Sequence, residues 1–124
     1  MDEQQKYIIH MKPQFSFLER IDIPKLIDEC KDNWYNQTLV KVNDCVVRLG
    51  IFKEGEFHFH KHDRKDEFFL VLQGSLEIDL VNDSVTLGPN QAYTVPKGVV
   101  HRLKVKDQTV VIMVEGAGIK PVGD

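Results

Sequence analysis

From about residue 37 onward, apolar and polar positions alternate in short runs separated by turn residues. Val40 and Val42 read as a strand, and Asn43-Asp44 as a tight turn. Cys45–Phe52 is rich in β-branched residues and reads as a second strand, broken by Gly55. Residues 57–62 read as another short strand, with the strongly polar 61–66 as its end or the loop that follows. Residues 68–72 are nearly all apolar, and Gly74 turns the chain. Leu76, Ile78 and Leu80 alternate with Glu77, Asp79 and Val81, the period of a half-buried strand. Runs at 85–87, 92–95, 99–105 and 110–114 complete the set, with turns at Asn82-Asp83, Pro96-Lys97-Gly98 and Lys106-Asp107.

Many short strands at close spacing predict an all-β sandwich or barrel. No strict alternation of strands with helices is present, which argues against a parallel α/β fold. Before residue 37 the pattern differs. Ile8, Ile9, Phe15, Phe17 and Leu18 suggest an arm that packs on something. Pro24 suits a first helical turn, and Leu26, Cys30 and Trp34 recur every fourth residue beside Ile27, one stripe of a short helix over 24–34. The expected organisation is an arm and helix at 1–36, a barrel at 37–115 and a tail at 116–124.

A chain of 124 residues fits one domain with a core of its own. Its net charge of −3, with both signs interspersed, lacks the basic footprint of a nucleic-acid binder. No apolar run reaches the roughly 18 residues of a membrane span. The polar start, Met1 to Gln5, does not resemble a secretory signal. The two cysteines, Cys30 and Cys45, form no framework and read as reduced thiols, which points to the cytoplasm.

The chemistry concentrates in one stretch. His58, His60 and His62 are two residues apart, so on a strand their rings share a face. Glu67 opens the run Phe68-Phe69-Leu70-Val71-Leu72, where a carboxylate is costly to bury unless something neutralises it. A divalent cation would do so. His101 follows the Pro96-x-Gly98 turn. Imidazoles with one carboxylate suit Fe, Mn, Ni, Cu or Zn without choosing among them. Isolated histidines and H-x-H pairs also arise with no ligand role, so both readings stand at this point.

The spacing of Gly55, His60-x-His62, Glu67 and Gly74 resembles the first motif of the cupin superfamily, and Pro96-x-Gly98-x-x-His101 resembles the second. Together they span residues 55–105, and the surrounding strands extend the likeness to about 37–115. Three positions depart from the pattern. Gly55 sits one residue nearer the histidines, Asn90 stands where the second motif has a glycine, and Val105 stands where the family often has Asn. Asn tolerates left-handed backbone angles, so the turn at Asn90 can survive.

The resemblance implies a double-stranded β-helix, the jelly-roll-like cupin barrel, here with an N-terminal arm and one short helix. It implies one divalent transition metal on His60, His62, Glu67 and His101. A rival register through His58 and His60 would lengthen the gap to Glu67 beyond the family range, leaving His58 as a pocket or supporting residue. Alternation makes Arg48 and Tyr93 further pocket candidates, and His58 or Tyr93 could serve as the acid or base. Lys61, Arg64 and Lys65 read as a solvated loop or as a rim for an anionic substrate.

If Glu67 faces the pocket, Phe69 and Val71 face it too, and the equally apolar Phe68, Leu70 and Leu72 need a second cover. A homodimer is expected there, with the arm and helix of the same chain as the other possible cover. Stand-alone small cupins of this kind resemble a class described as mannose-6-phosphate isomerase-like. The expected function is a metal-dependent enzyme of oxygenase or isomerase type on a small organic substrate. The alternatives are a small-molecule binding or sensing module and a structural or storage role.

Overall fold

The computed structural model describes residues 7–123. The polar start at 1–5 lies outside them. The elements in chain order are β1 (Ile8–His10), α1 (Ile23–Glu29), β2 (Trp34–Val42), β3 (Cys45–Phe52), β4 (Gly55–Glu56), β5 (Glu67–Gln73), β6 (Leu76–Leu80), β7 (Ser84–Leu87), β8 (Ala92–Val95), β9 (His101–Val105) and β10 (Thr109–Gly116). Among the described residues the strands form a six-stranded sheet, β1-β2-β3-β10-β5-β8, and a four-stranded sheet, β4-β9-β6-β7. Among the strand pairs of the described residues only β1–β2 is parallel. This is the expected double-stranded β-helix with a single short helix.

The alternation of each strand divides it between two cores. Glu67, Phe69 and Val71 of β5 face the interior, where Phe69 and Val71 join Leu76, Ile78, Val111 and Met113. The opposite face of the six-stranded sheet carries Leu49, Ile51 and Val110, all fully buried. Phe15 and the apolar stripe of α1, Ile23, Leu26 and Ile27, cover them within the same chain. That cover ends near Leu72, and Phe68 and Leu70 remain half-buried.

The N-terminal arm is tied down by backbone bonds from the Gln14 and Phe15 amides to the Thr38 and Leu39 carbonyls, at 3.0 and 2.9 Å. Two of its apolar residues do not pack as expected, since Phe17 and Leu18 stand in solvent, Leu18 with a left-handed φ of 64°.

Two sequence expectations are corrected. The helix stops at Glu29 rather than running toward Trp34, which instead opens β2. Trp34 stacks on Phe52 at 4.2 Å and meets Tyr7 edge-on at 5.5 Å, and burying an indole in that aromatic cluster outweighs one more turn of surface helix. Residues 57–62 are not a regular strand. Phe57 and His60 both face the interior, three positions apart, which breaks the period of two. The segment pairs with β9 at only a few points.

Two turns rest on backbone conformation. Gly74, between β5 and β6, has φ of 86°, and a Cβ there would lie 2.4 Å from the Gln108 carbonyl oxygen. Asn90 takes φ of 68°, the left-handed conformation expected of it in place of glycine.

Candidate metal centre

The two sequence motifs are stitched together by backbone hydrogen bonds. His60 and His101 exchange N–H···O bonds of 2.9 Å in both directions, which sets the two side chains side by side. The Gly98 amide donates to the His62 carbonyl at 2.8 Å, so the Pro96-x-Gly98 turn holds His62 in place. Lys97 N–H donates to Asp66 Oδ1 at 2.9 Å, and β8 pairs Val95 with Glu67. The connection from β8 to β9, with the strand residues at its two ends, therefore positions all four candidate ligands.

The donor atoms of His60, His62, Glu67 and His101 lie within 4.8 Å of one another, and only His60 is more than marginally exposed. Glu67 Oε1 is 3.3 Å from His62 Nε2 and 3.2 Å from His101 Nε2. Ligand atoms about 2.1 Å from a shared ion and at right angles stand about 3.0 Å apart, so this spacing fits a common ion. The ring orientations fit as well. Nδ1 of His60 is 3.0 Å from the His58 carbonyl, and Nδ1 of His101 is 2.9 Å from that of Val99. A carbonyl only accepts, so both Nδ1 atoms carry hydrogen and both Nε2 lone pairs are directed inward. The His101 lone pair and the Glu67 oxygen repel at this distance unless a proton or a metal cation joins them.

Burial lowers the His60 pKa to about 4, keeping its ring neutral at pH 7. Burial pushes Glu67 upward, but the His101, His62 and Glu115 side chains beside it reverse that and hold its carboxyl well below the usual carboxylate range. His60 and Glu67 are thus in the forms that bind metal, neutral imidazole and ionised carboxylate. His58 is not in the cluster, so the rival register through His58 and His60 is not the one the fold assembles.

Beside the four residues is a cavity of about 20 Å³, with Trp34, Phe52, Phe57 and Phe69 as apolar wall and Asn36 and Glu115 as polar groups. Glu115 escaped the sequence reading. It pairs across the sheet with Glu67, is 3% exposed, and lies 3.6 Å from Arg48 Nε. Its signal was present, because Val111, Met113 and Glu115 alternate inward on β10 as Glu67, Phe69 and Val71 do on β5.

Arg48 points inward as alternation suggested, yet lies behind the cavity. It donates to Asn36 Oδ1 at 2.8 Å and Thr38 Oγ1 at 2.7 Å. Tyr93 packs against the core on β8, opposite Phe69, and is not part of the cavity wall. His58 sits at the mouth, its ring stacked on Phe57 at 4.3 Å and its Nε2 2.7 Å from the Val122 carbonyl.

Comparison with known proteins agrees with this fold. The chain is 38% identical over 91 residues to uncharacterized protein YdbB of Bacillus subtilis (strain 168), a match covering 73% of this chain and 80% of that protein. Its fold superposes with a TM-score of 0.72 on a cupin-2 domain containing protein from Shewanella frigidimarina NCIMB 400, at 28% identity, covering 77% and 93% of the two chains. Protein NMB1881 from Neisseria meningitidis shares the fold at 20% identity and a TM-score of 0.70, covering 80% and 100%. The family model of the cupin domain (Cupin_2) matches residues 48–115, which contain all four candidate ligands. On that match, over more than half its length, the chain belongs to the cupin domain family.

Proposed function

We propose that this cupin is a metal-dependent enzyme of oxygenase or isomerase type that acts on a small organic substrate. The observation that carries the reading is the convergence of three imidazoles and one carboxylate on a point beside an apolar cavity. The donor set suits Fe, Mn, Ni, Cu or Zn. A bound ion of this class polarises an oxygen ligand or lowers the pKa of a bound water.

The protein's own residues do the rest. The His58 and Val99 carbonyls fix the His60 and His101 rings, the aromatic wall excludes water, and Asn36 and Glu115 offer hydrogen bonds to a ligand in the cavity. Arg64, Lys65 and Lys120, with Asp63 as the one acidic group, line a groove of about 420 Å³ whose net positive charge favours an anionic substrate. Of the two acid–base candidates, His58 at the mouth is retained and Tyr93, outside the cavity wall, is not. Sugar phosphates of the mannose-6-phosphate type belong among the isomerase substrates to assay.

The half-buried Phe68 and Leu70 support a homodimer through the outer sheet face. The two free cysteines suit a cytoplasmic location. Among the described residues no helix is long and apolar enough to cross a membrane.

A second reading, a binding or sensing module, would use the same donors and cavity wall to hold a small ligand without turnover. Thermal-shift screening against small anions, followed by turnover assays on each hit, separates the two, because a module binds without product.

The test of the metal centre is elemental mass spectrometry on protein purified without chelator, beside a His60→Ala/His101→Ala variant. About one transition ion per chain is expected, lost in the variant with its β-sheet circular dichroism retained. A metal-free protein that stays empty on reconstitution overturns the reading.

A further inference from the structure

The chain after β10 folds back onto the metal centre. The Ala117 amide donates to the Asp44 carbonyl at 2.8 Å, and Ile119 is buried, 2% exposed. The Gly123 amide donates to the Lys120 carbonyl at 2.9 Å, closing a tight turn. That turn sets Pro121 into the cavity wall and presents the Val122 carbonyl to His58 Nε2 at 2.7 Å. Gly123 comes so near that a Cβ would lie 2.9 Å from His60 Cβ, and its φ of 111° also disfavours any side chain. The remaining cavity, about 20 Å³, has room for roughly one water.

An organic ligand therefore cannot reach the centre while this segment is in place. Among the described residues the segment is anchored chiefly by one buried isoleucine and a hydrogen bond at the rim, and so lightly anchored a terminal segment is of the kind that opens locally.

We propose that residues 119–123 are a displaceable strap across the mouth of the metal centre, and that His58 is its latch. When the strap moves aside, the mouth opens and the His58 Nε2–H that holds the Val122 carbonyl is freed for an oxygen of the incoming ligand. The proposal builds on the metal-centre reading but is tested separately from it.

Two single variants loosen the strap without touching a candidate ligand, Ile119→Ala by removing its buried anchor and His58→Ala by removing the latch. In the metal-free full chain, modification of His60 by diethylpyrocarbonate is followed by peptide mass spectrometry. In the Co²⁺-loaded chain, the rate of metal loss to dipicolinate is measured. Both rates are expected to rise roughly fivefold or more in each variant, at least the factor for loss of one hydrogen bond. Unchanged His60 modification in both variants overturns the strap, whatever the chain does with cobalt. If the parent takes up no Co²⁺ while His60 modification still accelerates in the variants, the strap stands as a cover over a histidine cluster and the metal-centre reading fails.

Discussion

Burial favours the neutral form of both His60 and Glu67, but only His60 yields to it. The imidazole stays neutral, with its pKa lowered to about 4, while its neighbours hold the carboxylate ionised. In the unfolded chain His60 titrates near its ordinary 6.5, so between pH 6.5 and 4 the unfolded state takes up the proton that the folded state refuses. The metal-free protein should therefore lose stability as pH falls through that window, by up to about 3 kcal/mol from this group. Urea unfolding at pH 7 and pH 4.5 measures the loss, and His60→Gln should reduce it. Arg48 and Glu115 form a buried ion pair with side chains 1% exposed. Arg48→Met should destabilise by about 3–5 kcal/mol by leaving a buried carboxylate uncompensated, and adding Glu115→Met should restore much of that. Denaturant titration of both variants checks it. Glu67 was legible in the sequence because a carboxylate opening an apolar run demands an explanation. Glu115 sends the same signal at the end of a run, but it precedes Gly116-Ala117-Gly118 and reads as the start of a turn.

Elements divide into those set by local pattern and those overruled by packing. The β2–β3 hairpin turns at Asn43-Asp44, and β3 and β8 span the residues their alternation predicts, because turn chemistry and period two are local properties. Gly74 and Asn90 are where backbone conformation carries an element. Gly74→Ala should cost about 2 kcal/mol, from the positive φ and the collision with the Gln108 carbonyl. Asn90→Gly should be nearly neutral and Asn90→Val should cost about 1–2 kcal/mol, since only the β-branched residue resists φ of 68°. Thermal denaturation of the three variants separates these cases. The helix end and the 57–62 segment were not legible because distant partners decide both. Trp34 goes to the aromatic cluster of Phe52, Phe57 and Tyr7, and residues 57–62 follow the backbone of β9.

At the scale of the molecule, the apolar outer face of the six-stranded sheet is covered only in part. The arm and α1 bury Leu49, Ile51 and Val110, while Phe68 and Leu70, paired across the sheet with Val114 and Ile112, stay half-open. Sedimentation analysis should give a dimer, and Phe68→Lys/Leu70→Lys should shift it to monomer. A monomeric parent would instead assign the whole cover to the arm and helix. Strand identity, fold class and the spacing of the ligand types are written in the sequence by itself, because alternation, turn residues and motif gaps act over a few positions. Which donors converge, what lies behind Glu67 and what closes the mouth were decided by tertiary structure. Those features depend on contacts between residues 34 apart, as for Glu67 and His101, or 64 apart, as for His58 and Val122. A period of two says which way a side chain points from its strand, but carries no information about which distant segment the closed barrel will place opposite it.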